Sequence, residues 1–203
     1  MDIEGFNTQL LDTNTECERL NFIRKIFFHG IPHVFKDREN EYFEFRNKIA
    51  KNFGISFHEV FIVGSAKLGF SYIKNKDFDY DSDVDVVIVN EKLFDKYYDK
   101  IGDYQYLLDK NHRTVDLSEL KEYSLFLRYL VKGWMRPDKL PISFQTYILK
   151  KEWFDFFKSI SNNKSEVGDY QVRAGLYKNY HYIEKYYKIN IKKQYNILKL
   201  NKE

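Results

Sequence analysis

Two aspartates one residue apart are the strongest candidates for chemistry in this sequence. Asp83 and Asp85 begin an apolar run that ends at residue 89 and is predicted to be a β-strand. Side chains two residues apart in a strand point to the same face, so the two carboxylates are expected to lie side by side. Two like charges that close together are unfavourable unless a cation lies between them. The pair suits Mg²⁺, which binds through one or two carboxylates together with substrate phosphates.

A second candidate group lies where an earlier apolar run ends. Residues 57–63 predict a strand, and Gly64 and Ser65 follow it directly. Glycine allows a close approach of the backbone to a ligand, and the N–H groups and hydroxyl that follow can hold a phosphate. Lys67 lies just beyond this turn, either near enough for its ammonium to reach a phosphate or as an ordinary surface lysine. The stretch therefore predicts a phosphate site.

The order of these two motifs along the chain resembles the nucleotidyltransferase superfamily, which includes the polymerase-beta-like enzymes. The features that match are a strand ending at Gly64 and Ser65, followed by the acid pair Asp83 and Asp85 at the start of a second strand. Within the superfamily, these motifs look most like those of bacterial minimal nucleotidyltransferases and of the cGAS/DncV-like branch. The resemblance covers residues 58–90, and the rest of the chain is fitted around it.

The resemblance implies an enzyme that moves a nucleoside monophosphate from an NTP to an acceptor. Asp83 and Asp85 would be the catalytic residues and would hold Mg²⁺ or Mn²⁺, and Gly64, Ser65 and Lys67 would contact the NTP. The acceptor stays open at this point. A protein side chain, an RNA end, a small molecule and another nucleotide are all compatible with the motifs.

The sequence departs from the superfamily pattern at the third carboxylate, which active members usually add from a later strand. The later strand predicted here, residues 169–177, has Arg173 at its centre and Asp169 only at its edge. Asp116 is a weaker alternative because it starts a predicted helix. Arg173 could bind the phosphates of the nucleotide instead, through its forked guanidinium. A second hypothesis is therefore a catalytically impaired fold that binds a nucleotide or a protein partner in a toxin–antitoxin or phage-defence system.

Composition limits the remaining classes of protein. The chain has 203 residues and a net charge of +3, which is too small to indicate a general nucleic-acid-binding protein. Cys17 is the single cysteine, so an internal disulfide is excluded and a reducing compartment is favoured. The sequence has no signal-peptide pattern and no apolar run near the ~20 residues of a membrane helix. We expect a cytoplasmic protein without a membrane partner.

The resemblance implies one nucleotidyltransferase-like domain over residues 1–203 with a small mixed β-sheet core. Periodicity and turn residues predict helices that flank this core, so the expected fold class is α+β. In chain order its expected parts are N-terminal helices within 15–53, the motif core at 57–90, a helical segment at 91–161, and a late strand with a C-terminal helix at 169–203.

Turn chemistry adds several local predictions. Residues 1–15 are polar and expected to be loose, and residues 71–82 are expected to be a loop between the two motifs. Thr15 is predicted to cap a helix. Trp134 and Arg136 lie in a Gly- and Pro-containing stretch that is predicted to be an ordered connector, with a lid or a substrate wall as the alternative.

Overall fold

A computed structural model describes residues 1–110, 116–140 and 145–201, without the side chains of 145–147. Helices precede, flank and follow a small β-sheet along the chain. The helices are α1 Ile3–Leu11, α2 Glu16–Ile23, α3 Glu39–Phe53, α4 Gly64–Leu68, α5 Glu91–Asp109, α6 Leu117–Leu130, α7 Gln145–Ser159 and α8 Tyr180–Leu200. The strands are β1 Val60–Val63, β2 Phe70–Ser71, β3 Lys76–Asp77, β4 Val84–Val89, β5 Trp134–Met135 and β6 Val172–Tyr177.

Four of the strands form one mixed sheet in the order β1-β4-β6-β5. Strand β4 pairs with β1 in the antiparallel sense and with β6 in the parallel sense, and β5 is antiparallel to β6. Strands β2 and β3 form a separate hairpin. The prediction of an α+β fold with a small mixed sheet and surrounding helices is confirmed at this level.

The central strand β4 has two different faces. Val84, Val86 and Ile88 are buried on one face, in a core to which α3, α5 and α7 contribute. Val87 and Val89 are buried on the other face, in a second core with side chains of α1, α2 and α8. Because side chains alternate along a strand, Asp85 lies on this second face, ahead of the two valines. The sheet is therefore covered by helices on both sides.

The prediction that residues 1–15 are loose is wrong. They contain α1, whose N-terminus is capped by the Asp2 carboxylate, which accepts a hydrogen bond of 2.8 Å from the Gly5 N–H. Phe6 and Leu10 are fully buried. Their spacing of four residues places both on one helical face, and the polar residues and the glycine between the apolar positions weakened the periodic signal. The helix forms because this face packs into the second core, where Phe6 contacts the rings of Phe22 and Phe70.

The capping of α2 by Thr15 is confirmed. The Thr15 hydroxyl accepts a hydrogen bond from the Glu18 N–H, and the Glu18 carboxylate accepts one from the Thr15 N–H, each 3.1 Å long. This reciprocal pair satisfies two backbone donors that the first turn of a helix otherwise leaves without partners. The capping box fixes where the second helix begins.

Two short pieces of strand were missed in stretches predicted to be loops or connectors. The loop predicted at 71–82 contains part of the β2–β3 hairpin, in which Phe70 pairs with Asp77. The connector around Trp134 contributes β5, in which Met135 pairs with Leu176 of the sheet. A two-residue strand is too short to show alternation, so only its pairing partner identifies it. Among the described helices, none combines the length and the apolarity needed to cross a bilayer.

Candidate active site

The acid pair lies at the start of β4, on the face of the sheet that α8 covers. Asp85 is opposite Val63, the last residue of β1, and is paired in register with Arg173 of β6 on its other side. Both carboxylates line a cavity of about 480 Å³ between the sheet, the β2–β3 hairpin and α8. The strand spacing of Asp83 and Asp85 therefore brings two carboxylates to one wall of a cavity of ligand size.

Gly64 lies against the Asp85 carboxylate. Its backbone has φ of +66°, a left-handed conformation that L-residues with a side chain rarely adopt. A Cβ atom at this position would lie 3.0 Å from Asp85 Oδ2, so a side chain there would crowd the carboxylate. Ser65 follows and also lines the cavity. The antiparallel pairing of β1 with β4 is what joins the Gly-Ser turn to the acid pair.

Arg173 occupies the position beside Asp85 on the neighbouring strand. Its Nε lies 3.2 Å from Asp83 Oδ2, and about half of its side chain is exposed in the cavity. The two candidate third carboxylates lie elsewhere. Asp116 caps α6 by accepting hydrogen bonds from the backbone of its first turn, and Asp169 is exposed in the segment before β6. The described wall of the cavity includes neither of them.

Lys67 does not line the cavity with the other predicted site residues. The prediction that its ammonium contacts phosphate is therefore corrected. Its ammonium is buried and donates hydrogen bonds to the carbonyl oxygens of His29 and Gly30, at 2.6 and 2.8 Å. Residues two apart on a helix do not share a face, so a lysine two positions after Ser65 points away from the cavity. Burial lowers the pKa of Lys67 to about 8, because removal from water disfavours the ammonium. Lys67 anchors a loop.

Asp85 is in an environment that disfavours its charge. Solvent reaches this carboxylate through the cavity, although protein atoms surround it closely. Desolvation by these atoms raises the pKa of Asp85, and the negative charge of Asp83 raises it further. Arg136, Arg173 and Lys74 oppose this increase without cancelling it. A cation bound between the two carboxylates would relieve this unfavourable arrangement.

The cavity also contains residues that the motifs did not indicate. Lys74 comes from the hairpin and Arg136 follows β5, so both cations reach the cavity from outside the motif core. Trp134 stacks on Tyr177 with ring centroids 5.7 Å apart and an interplanar angle of 16°. Further lining comes from Tyr72, Tyr186, Tyr187 and Asn190. Only the substrate-wall alternative for Trp134 and Arg136 pointed to any of this lining, since the rest depends on how distant segments pack.

The donor atoms present suit a divalent cation that is shared with phosphate. Asp83 and Asp85 offer hard oxygen ligands, which Mg²⁺ or Mn²⁺ prefers, and phosphate and water complete the coordination in such sites. Within the described ranges, no group of three or more His, Cys, Asp or Glu side chains is arranged to hold a metal. Asp83 is also paired with Arg173. The residues therefore fit one ion held jointly with a ligand, and do not form an all-protein cage.

Comparisons of this chain with protein-family models, with curated proteins and with solved structures found no match. The site itself therefore carries the functional interpretation. Around one cavity it combines four carboxylates that include the acid pair, a glycine turn, four basic side chains and an aromatic wall. A fold alone does not specify a substrate, whereas the chemistry of these groups limits which ligands the cavity can bind.

Proposed function

We propose that this protein is a metal-dependent nucleotidyltransferase of the polymerase-beta-like superfamily. The observation that carries the proposal is the close approach of the Gly64 turn to the Asp85 carboxylate, where an added Cβ would crowd it, at the wall of a cavity that Asp83 also lines. The two halves of the motif are separated by 18 positions between Ser65 and Asp83. The antiparallel pairing of β1 with β4 brings these two halves together. Phosphate and metal binding by one site require such a meeting at one cavity, and the pairing provides it.

The cavity offers matching chemistry for a nucleoside triphosphate. Arg173, Arg136 and Lys74 supply positive charge for phosphates, and the aromatic wall with Trp134 offers a surface on which a base can stack. Its volume of about 480 Å³ lies within the usual range for small-molecule sites. When bound by Asp83 and Asp85, Mg²⁺ or Mn²⁺ would neutralise phosphate charge. The protein's own contribution is to orient the triphosphate and screen its charge.

The test is nucleotide binding and pyrophosphate release by the purified protein. Each NTP is titrated with Mg²⁺, with Mn²⁺ and with the metal chelated, and pyrophosphate is measured with a mixture of candidate acceptors present. Asp83→Asn and Asp85→Asn are expected to lower metal-dependent turnover by more than about a hundredfold, since even outer-sphere partners of a metal contribute about 10–100-fold. Asp99→Asn is the matched control, because Asp99 is exposed on α5 and lines no described part of the cavity.

Two outcomes would contradict the proposal. The first is full metal-dependent turnover in either Asp83→Asn or Asp85→Asn, which would exclude these carboxylates as the metal site. The second is the absence of metal-dependent binding of any NTP. Asp99→Asn must keep normal turnover for a loss in Asp83→Asn or Asp85→Asn to be interpreted, because it shows that removal of a surface carboxylate is harmless by itself.

A second candidate function is a nucleotide-binding module that has lost or reduced its catalysis. The ion pair between Arg173 and Asp83 favours it, because a cation stands beside the acid pair where a third carboxylate would be expected. Such a module would act through a protein partner. Metal-dependent NTP binding without pyrophosphate release, across protein, RNA, nucleotide and small-molecule acceptors, would support this alternative.

A further inference from the structure

A second cavity lies on the other side of Arg173. It has a volume of about 390 Å³ and is formed by α7, by the turn after β5 and by the first residues of β6. Arg136, Arg173 and Ala174 line both cavities, so the two share a wall. A molecule in the second cavity would therefore lie next to the guanidinium that contacts Asp83. This position is adjacent to the candidate active site without overlapping the Gly-Ser turn.

The second cavity is strongly basic. Lys139 and Lys158 line it together with the two shared arginines, against one carboxylate among its described lining residues, Asp138. That carboxylate is already engaged, since its two oxygens accept hydrogen bonds of 3.2 and 2.8 Å from the Arg136 side chain. Since Arg173 is paired with Asp83 of the first cavity, Lys139 and Lys158 are the lining cations that favour an anionic ligand here.

The lining also contains groups that suit a planar polar molecule. Phe154 is 52% exposed, which is high for a large aromatic side chain. The Lys158 ammonium lies 5.9 Å from the centre of its ring, so charge and an aromatic surface are close together. The amide side chains of Asn162 and Gln171 complete this wall and can both donate and accept hydrogen bonds. Rings, amides and ammonium groups together are the chemistry that recognises nucleotides.

We propose that this second cavity is the acceptor site and that the acceptor is a small phosphate-bearing molecule of mononucleotide size. The inference deepens the proposed nucleotidyltransferase activity and rests on it. Lys139 and Lys158 hold the acceptor's phosphate, and Phe154 packs against its ring. The cavity volume of about 390 Å³ matches a small molecule and leaves no room for a folded partner.

The transfer balances without a further reagent. A hydroxyl oxygen of the acceptor forms a bond to the α-phosphorus of the NTP, and the bond between that phosphorus and the bridging oxygen to the β-phosphate breaks. Pyrophosphate leaves with the electron pair, and the hydroxyl proton passes to water. Arg173 lies between the two cavities and contacts both molecules. Its charge therefore favours their approach.

The test measures acceptor binding while the first cavity is filled. The full chain is saturated with Mg²⁺ and an ATP analogue whose α,β-bridge is a methylene group, and AMP, adenosine and inorganic phosphate are then titrated by calorimetry. AMP is expected to bind more tightly than adenosine. The double variant Lys139→Glu/Lys158→Glu is expected to weaken AMP binding by about tenfold or more, the size of at least one charge-assisted hydrogen bond. Lys164→Glu, an exposed lysine that lines neither described cavity wall, is the control for the charge change.

Several results would overturn the inference. They are equal affinity for AMP and adenosine, no AMP binding at millimolar concentration, unchanged AMP binding in the double variant, or tighter binding of a short single-stranded RNA through the same lysines. Binding of the ATP analogue distinguishes failure of the acceptor site from failure of the proposed function. If the unmodified protein does not bind the analogue, the proposed function is contradicted. If it binds the analogue but gives one of these four results, only the acceptor site is contradicted.

Discussion

The two faces of β4, a strand of six residues, differ in chemical character. On one face Val84, Val86 and Ile88 are almost completely buried among helices. On the other face the strand begins with Asp85 at a cavity and continues with two buried valines. The first face is uniformly apolar along its length, whereas the second changes from charged to apolar within three positions.

This difference separates the face that stabilises the fold from the face on which the proposed ligands would bind. Burial of apolar side chains supplies most of the favourable free energy of folding, and the uniform face provides it without interruption. The mixed face keeps two carboxylates close together, which lowers stability. Desolvation and the repulsion from Asp83 both disfavour the charge of Asp85, and they therefore raise its pKa. A region that retains an unfavourable charge pair beside a cavity is a candidate for function.

The largest effect is expected on the uniform face. Ile88→Ala should lower the free energy of unfolding by about 2–5 kcal/mol, because a fully buried side chain is lost and a cavity remains. Urea unfolding followed by circular dichroism measures this. Ile189→Ala is the control, since Ile189 is 63% exposed on α8 and its loss should change stability by less than about 0.5 kcal/mol. Equal losses in the two variants would contradict the assignment of this face as the main core.

The next largest effect concerns the turn at Gly64, directly after β1. Gly64→Ala should destabilise the fold by about 1–2 kcal/mol, because the Cβ of an L-residue crowds the backbone in the left-handed conformation that Gly64 adopts. It should also weaken metal-dependent NTP binding, since the new Cβ would crowd the Asp85 carboxylate. Thermal unfolding and nucleotide titration measure the two changes.

Gly102→Ala provides a control of opposite sign for this comparison. Gly102 is inside α5 and has no atom within 4 Å of an added Cβ, so alanine should stabilise the helix by about 0.5–1 kcal/mol. If Gly64→Ala were as harmless as Gly102→Ala for both stability and nucleotide binding, the close approach of the turn to Asp85 would have no functional meaning.

A third effect tests whether the mixed face binds phosphate. Arg173→Gln should weaken NTP affinity by about tenfold, the value of one charge-assisted hydrogen bond, and Arg173→Lys should restore part of it. Equilibrium binding of each NTP with Mg²⁺ gives the comparison. Arg128→Gln, at an exposed position on α6, should bind NTP normally. Unchanged affinity in Arg173→Gln would restrict Arg173 to its ion pair with Asp83.

The smallest effect is on stability in the absence of metal. Asp85→Asn should stabilise the chelated protein by less than about 1 kcal/mol, since solvent in the cavity screens the charge. The folded protein raises the pKa of Asp85, so the native state binds more protons than the unfolded state, and this carboxylate lowers stability as pH rises.

The stability difference between Asp85→Asn and the unmodified protein should therefore appear as pH rises above about 4, where an unfolded aspartate ionises. It should level off once the pH exceeds the raised pKa of Asp85. Urea midpoints across this pH range test the prediction, with Asp99→Asn as the control. A difference that shrinks with rising pH would mean that the ionised Asp85 is favoured in the folded protein.

The sequence was most informative where local rules are strict. Alternation placed Asp83 and Asp85 on one face of a strand, and a capping box located the start of α2 at Thr15. It was least informative where a signal is short or weak. The helix α1 depends on two buried residues, and β5 depends on its pairing with β6. Lys67 lies away from the cavity because residues two apart on a helix do not share a face, and its partners, the carbonyl oxygens of His29 and Gly30, come from a distant segment.

By itself the sequence determined the class of fold, the two strands of the motif and the acid pair, because these follow from residue types at fixed spacing. Tertiary structure alone decided that the Gly64 backbone lies close to the Asp85 carboxylate, that Arg173 lies beside the acid pair, and that α8 forms part of the cavity wall. Those contacts join segments far apart in the chain. Strand order and helix packing set them, and both are chosen by the total burial of apolar surface rather than by any local pattern.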